Sequence, residues 1–501
     1  MMADTKREIE RKYEACPGTR LPDLTGVRGV SAVLDQGVAE LDAVYYDTDD
    51  LRLAAASITL RRRTGGKDAG WHLKLPVSPG VRDELHAPLG DDVPGSLAGL
   101  VHARTRGAPL VPVVRLRSRR DLRHLVDGDG ALLAEAGTDT VRAERLAGGD
   151  GGTVEWTEIE VELADDGDPA FLDAVDKRLR KKGIKPSGAA SKLAKALHDT
   201  GWRPTPPQED GTAGGRVLAH LRDQADKLAT YDAAVRRDLP DSVHRMRVAT
   251  RRLRSAFRTY RKILDPAVTG PVADELKWLA RELGVDRDQE VLAERLTAAV
   301  DAVPVTLLLG PVKGRLRAWG GAGRAGSRDR TLAVLDSDRY TALLNSLDAL
   351  LADPPLRRAA RKDADAVLAR AILKDHERLA ARIDRALALP AGPGRDVALH
   401  EARKAAKRAR YAAETAAPVL GGPARRFAKR VKAVQKVLGD HQDSVVARDT
   451  LRDLAVQAHL SGETAFTWGL LYGREEARAA ERERELPEVW ARAVPGKLRR
   501  I

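Results

Sequence analysis

The sequence predicts a multidomain α+β protein in which an antiparallel β domain precedes an all-helical one. Three observations carry that expectation. Residues up to about 200 hold short alternating segments set off by turn residues, residues beyond about 215 carry apolar side chains at helical spacing, and the stretch between does neither. At roughly 150 residues per domain, 501 residues allow two to four domains with sizeable cores and no need of disulfide or metal staples.

In chain order, alternation marks strands at Ala43-Val-Tyr-Tyr-Asp47, Ile58-Thr-Leu-Arg-Arg-Arg63, Trp71-His-Leu-Lys-Leu75 and Trp156-Thr-Glu-Ile-Glu-Val-Glu-Leu163, with Gly65-Gly66 as one of the turns between them. Residues 203–215, rich in Pro, Gly and small polar residues, have no apolar period and read as a linker between a domain at 1–202 and one at 216–495. The second domain is rich in Ala, Leu, Arg, Lys and Glu, and Gly/Pro clusters near 266–271, 310–326, 390–394 and 421–423 interrupt its helices. It also repeats itself. His244-x-x-Arg247-Val-x-x-Arg251-Arg-x-Arg254 returns as His400-x-x-Arg403-Lys-x-x-Lys407-Arg-x-Arg410, and Leu283-Gly-x-x-x-Asp288 returns as Leu438-Gly-x-x-x-Asp443, which indicates two related helical halves.

The net charge of +13 is unevenly spread: residues 1–200 hold 30 Lys and Arg against 33 Asp and Glu, leaving 56 against 40 for the remainder. A positive field on the helical part favours a polyanionic partner. Aromatics are only 4% of the chain, which argues against base stacking and hence against nucleic acid, and leaves phosphate without bases as the better match. The single cysteine, Cys16, cannot form an internal disulfide, and the N-terminus is charged where a signal peptide would be apolar. No run approaches the roughly 18 apolar residues of a spanning helix; the nearest, around Val305–Leu309, is broken by Gly310 and Pro311. These features predict a cytoplasmic protein without a membrane partner.

Read as a strand, Glu8-Ile-Glu-Arg-Lys12 sends Glu8, Glu10 and Lys12 to one face. Glu158, Glu160 and Glu162 alternate with Ile159, Val161 and Leu163 in the same way; Arg61 and Arg63 alternate along a third strand, and Arg115, Arg117 and Arg119 along a fourth. Any one such strand also fits the solvated face of a one-sided sheet. Four of them, closed into a barrel, would line a lumen with cations and carboxylates that only a charged guest could compensate. Carboxylate oxygens suit Mg²⁺ or Mn²⁺, and Arg and Lys suit phosphate oxygens.

The Glu8-x-Glu10-x-Lys12 signature resembles that of the CYTH superfamily, the triphosphate tunnel metalloenzymes. The ordered set Tyr46-Asp-Thr, Leu60-Arg-x-Arg63, Lys74, Arg82-x-Glu84, Arg117/Arg119, Glu135 to Asp139, Glu158-Ile-Glu-Val-Glu162 and Ser191-Lys192 extends the resemblance over roughly residues 5–200. The resemblance implies an eight-stranded antiparallel β-barrel whose tunnel binds a triphosphate. Glu8, Glu10, Glu160 and Glu162 would hold Mg²⁺ or Mn²⁺ and, with Lys12, form the catalytic set. Lys12, Arg61, Arg63, Lys74, Arg117 and Lys192 would clamp phosphate. Within Arg115–Arg120 a one-residue slip exchanges the two faces, so the sequence alone leaves open which arginine points inward.

On a helix, His244, Arg247, Arg251, Arg254 and Arg258 share an arc of about 80°. His400, Arg403, Lys407 and Arg410 repeat the stripe, with Tyr411 alongside. Like charges at i,i+4 work against their own helix, so a stripe used twice points to a bound anion. Asp288 and Asp443 read as partners that orient arginines. These motifs resemble the CHAD domain, whose family is built of two four-helix repeats and implies binding of inorganic polyphosphate by His244, Arg247, Arg251, Arg254, Arg258, His400, Arg403, Lys407 and Arg410.

The expected function is metal-dependent hydrolysis of the terminal phosphate of inorganic triphosphate in the barrel, with polyphosphate held by the helical domain and the protein associated with polyphosphate granules. The alternatives are hydrolysis or cyclisation of an organic triphosphate such as thiamine triphosphate or ATP, and a non-catalytic polyphosphate-binding protein.

Overall fold

Eight antiparallel strands close a barrel in the order β1-β5-β4-β3-β2-β6-β7-β8, as expected. They are β1 (Asp4–Ala15), β2 (Ala32–Asp47), β3 (Thr59–Thr64), β4 (Gly70–Ser78), β5 (Val81–Ala87), β6 (Val111–Val126), β7 (Leu132–Arg145) and β8 (Thr153–Leu163). The computed structural model describes residues 4–147, 152–203, 210–324 and 326–493, without the side chains of 285–287 and 322–324, and the chain divides into two units, 1–206 and 207–501. Of the expected linker at 203–215, residues 204–209 lie outside the described residues and 213–215 already belong to a helix; residues 494 and 495, at the end of the expected second domain, also lie outside them.

Closure falls to β1, which pairs with β5 from Asp4 to Ile9 and with β8 from Glu10 to Ala15. Four helices decorate the barrel: α1 (Arg52–Ala55), α2 (Gly95–Thr105), α3 (Ala170–Lys181) and α4 (Lys192–Asp199). The outward apolar side chains Tyr13, Ile159, Val161 and Leu163 bury against Leu172, Val175 and Leu179 of α3. Each such side chain removed from water contributes about 1.5–3 kcal/mol. The period-2 alternation leaves the carboxylates of the same strand on the lumen side. Inside one end of the barrel, Leu193, Ala196 and Leu197 of α4 pack on Ala43, Leu116, Val141 and Ala143, which have inward parity.

The second unit comprises α5 (Ala213–Arg236), α6 (Ser242–Thr259), α7 (Pro266–Glu282), α8 (Val285–Asp301), α9 (Val312–Arg324), α10 (Ser327–Leu335), α11 (Asp338–Ala352), α12 (Ala364–Ala388), α13 (Pro393–Leu460) and α14 (Phe466–Ala491). The halves are α5, α6, α7 with α8, and α9, then α12, the two segments of α13 and α14, with α10 and α11 between. They share a core in which Leu296, Val300 and Leu316 meet Leu451, Leu454 and Trp468.

The Gly/Pro clusters behave differently from one another. At 390–394 the helices break as expected, at Gly392 with φ 135°. At 421–423 the helix only kinks, at Gly421. Pro266 starts a helix, because Asp265 caps it by accepting from Ala267 N at 3.0 Å and proline suits the first turn. The glycine-rich stretch at 310–326 is helical over most of its length. Each interior glycine costs about 1 kcal/mol relative to alanine, which burial of Val312 and Leu316 offsets.

Candidate functional site

Strand parity turns Glu8, Glu10 and Lys12 of β1, Arg61 and Arg63 of β3, Lys74 of β4, and Glu160 and Glu162 of β8 onto one cavity of about 430 Å³, together with Lys192 of α4. Eight cationic and seven acidic side chains line it. Seven of these cations are paired with carboxylates, as buried charges must be, and Arg82 donates to Ala190 O at 2.7 Å.

Lys12 Nζ lies 3.0 Å from Glu10 and also contacts Glu160. Lys74 Nζ is 2.6 Å from Glu8, Lys6 is 2.8 Å from Glu162, and Arg61 reaches Tyr45 Oη at 3.4 Å and Glu84 at 3.6 Å. Ser191 caps α4 by accepting from Ala194 N at 3.0 Å, and the next residue, Lys192, extends Nζ to Asp139, Glu158 and Glu160 at 2.9, 2.7 and 2.5 Å.

Charge and burial set the protonation states. Burial, only partly offset by Lys74 and reinforced by Glu84, pushes the Glu8 carboxyl up to about 8. Burial opposes ionisation of Glu10 and Glu160 too, but Lys12 holds Glu10 below the usual carboxylate range, and Lys12, Lys192 and Arg120 do the same for Glu160. His72, with Nδ1 2.9 Å from Glu84, is pushed down to about 4 by burial and by Arg61 and Arg63.

One expected clamp does not reach the cavity. Arg117 points outward: its side chain is 55% exposed and lies 3.7 Å from Asp42. Arg115 and Arg119 share that outer face with Asp42 and Glu40 as partners. Arg120, of the opposite parity, enters the lumen, forks onto Asp139 at 2.7 and 2.6 Å, and reaches Glu160 at 2.6 Å. The acids Asp42 and Glu40, alternating on β2, were the sequence signal that Arg115, Arg117 and Arg119 belong outside.

The carboxylates also group differently than the alternation suggested. Asp139, Glu158 and Glu160 bring oxygens within 4.8 Å of one another. Among the described residues, Glu160 is the one member of the expected metal quartet in that group, while Glu8, Glu10 and Glu162 sit along the adjoining wall. The all-oxygen donor set fits a hard divalent cation. Lys192 Nζ, bonded to all three carboxylates, occupies the place such a charge would take. By sequence alone Asp139, Glu158 and Glu84 fall in the family-like set and His72 in a strand, with no site role for any of them, because their partners lie on other elements.

In the helical unit, Arg247 Nη1 and Nη2 donate to Asp288 at 2.9 and 3.1 Å, and Arg403 donates to Asp443 at 3.3 Å. The Leu-Gly-x-x-x-Asp motif thereby acquires a physical reason. A Cβ on Gly284 would come within 2.8 Å of Arg247 Nη2, and one on Gly439 within 3.4 Å of Arg403 Nη2, so glycine admits the guanidinium that the aspartate four residues on then clamps.

The stripes of both halves meet. Lys407 sits among Arg403, Arg251 and Arg247, and burial together with those charges pushes its ammonium down to about 7. The other residues of the expected set have contacts of their own. Arg254 lines a separate groove with Lys277, Trp278 and Arg339, and Arg258 is exposed. Arg410 turns to Glu414 at 3.3 Å and stacks on Tyr411. His400 is half-buried with Nδ1 unpartnered, and His244 is exposed.

The CYTH domain family model matches residues 6–197 and the CHAD domain model residues 219–452. Two curated proteins from Mycobacterium tuberculosis strains, both named as uncharacterized, are each 39% identical over 513 residues, spanning 98% of this chain and 97% of the relative. Among solved structures, PptA from Streptomyces chartreusis is 20% identical with a TM-score of 0.48, covering 56% of this chain and 99% of its own. The CHAD domain from the plant Ricinus communis is 25% identical with a TM-score of 0.45, covering 58% and 97%. A putative adenylyl cyclase from Hippeastrum, described as revealing a dominant triphosphatase activity, is 19% identical with a TM-score of 0.23, covering 39% and 98%.

Proposed function

The chain belongs to the proteins that join a CYTH domain to a C-terminal CHAD domain, and from that premise we propose that its barrel hydrolyses the terminal phosphate of inorganic triphosphate while its helical unit binds inorganic polyphosphate. One observation carries the catalytic half: Glu10, Lys12, Glu160, Lys192 and Arg120 form a single ion-paired network on the cavity wall. Phosphoryl transfer asks mainly for positioning and charge neutralisation. Lys12, Arg61, Arg63, Lys74, Arg120 and Lys192 supply the positive side, each released from its carboxylate as phosphate oxygens replace it. Glu8, Glu10, Glu160 and Glu162, with Asp139 and Glu158 beside them, would hold Mg²⁺ or Mn²⁺. When bound, such an ion polarises phosphorus and lowers the pKa of an attacking water.

The polyphosphate half rests on the convergence of Arg247, Arg251, Arg403 and Lys407 from the two repeats. A cavity lined mostly by charged groups favours a base-free substrate over thiamine triphosphate or ATP.

The test is phosphate release from inorganic triphosphate, ATP, thiamine triphosphate and long-chain polyphosphate with Mg²⁺ or Mn²⁺, for the protein and for Glu10→Gln. Release from inorganic triphosphate that vanishes in a folded Glu10→Gln variant is expected. Full activity in that variant would overturn the assignment. Absence of release from all four would leave the barrel a binding domain.

A further inference from the structure

We propose that Asp68, in the turn between β3 and β4, competes with phosphate for Arg63 and so sets the affinity of the cavity for its substrate. The inference rests on the barrel being a triphosphate site. Arg63 is buried with its Nε unpartnered, and its guanidinium is ion-paired to the Asp68 carboxylate. Burial, with Arg61 close by, pushes its pKa down to about 9, so this guanidinium gains from any anion that reaches it.

Asp68 is the most exposed of the acids that line the cavity, ahead of Glu135 and Glu162. Glu10, Glu84, Asp139 and Glu160, which hold the neighbouring buried cations, have side-chain exposures between 0% and 14%. The Asp68 side chain is 59% exposed and reaches in from the rim. Its backbone is anchored. Gly65 and Gly66 adopt φ of +81° and +72°, and a Cβ on Gly65 would fall 2.1 Å from Glu40 O, so the turn is seated against β2. His72 Nε2 lies 2.9 Å from Asp68 O. With the turn fixed, the mobile part is the carboxylate, which can rotate into solvent when a more highly charged phosphate takes the same fork of Arg63.

A competitor of this kind weakens the ground-state and transition-state complexes equally, so its removal acts on KM and leaves kcat alone. A rim ion pair of up to about 1 kcal/mol corresponds to a change of about threefold to fivefold. In the full-length protein, Asp68→Asn is therefore expected to lower KM for inorganic triphosphate about threefold to fivefold with kcat within about twofold of wild type. Asp68→Glu should stay near wild type, and the difference should shrink as salt rises. An unchanged or raised KM in Asp68→Asn, or a fall in kcat beyond about tenfold, would overturn the proposal. Should the wild type release no phosphate, the functional reading fails separately. Calorimetric titration of inorganic triphosphate into the same proteins then decides: tighter binding by Asp68→Asn supports the competition, and equal or weaker binding ends it.

Discussion

Arg120 and Arg117, three positions apart on one strand, show how much a single parity decides. Arg120 is ion-paired to Asp139 and Glu160 in the cavity, whereas Arg117 stands on the outer face near Asp42. Loss of a preorganised charge at a reacting phosphate typically costs about 10²–10³ in rate. Steady-state kinetics should therefore find kcat/KM for triphosphate about a hundredfold lower in Arg120→Ala and within about twofold of wild type in Arg117→Ala; equal effects would refute the register. Lys407 makes a second residue-level prediction. Free, its ammonium lies near 7 through burial and its arginine neighbours. A polyanion favours the charged form, so the pKa rises in the complex, binding takes up a proton above about pH 7, and affinity falls as pH climbs. Titration calorimetry at pH 8 in two buffers of different ionisation enthalpy should show that uptake, and Lys407→Met should abolish it. Identical heats in both buffers for the wild type would disprove the linkage.

At the scale of elements, α4 links stability to the site, because Ser191 caps it and its first residue is Lys192. Ser191→Ala should cost the barrel about 1 kcal/mol, seen in its thermal unfolding transition, and should raise KM through a less fixed Lys192. An unaltered transition would mean the cap is redundant. Strand β8 was readable from Trp156 onward, three residues after its start at Thr153, since Glu158, Glu160 and Glu162 alternate with aliphatics that α3 covers. Strand β6 was readable as a strand but not by face, because arginines of both parities lie in Arg115–Arg120 and the partner that sorts them is β2. The helix at Val312–Arg324 was hidden by its glycines, whose local preference is overridden by packing against α8, α13 and α14.

At the scale of the whole molecule, the two units carry separate charge systems, and each should fail alone. Combined neutralisation of Arg251, Arg403 and Lys407 should remove polyphosphate binding in a filter or calorimetric assay and leave triphosphate kinetics within about twofold. Glu10→Gln should do the reverse. Loss of both functions in either variant would show that the units are coupled. No helix among the described residues is long and apolar enough to cross a membrane.

By itself the sequence determined the order of the two folds, the facing of β1 and β8, and the doubled basic motif. Those features are periodic, and a period of 2 or 3.6 assigns a side chain to a face without knowledge of its partner. Tertiary structure alone decided that Arg120 and not Arg117 enters the cavity, that Asp139 and Glu158 join Glu160 around Lys192, and that Arg247, Arg251, Arg403 and Lys407 meet. Each of these depends on which residues distant in sequence face each other, and closure of the barrel and packing of the two repeats fix that through contacts no local pattern encodes.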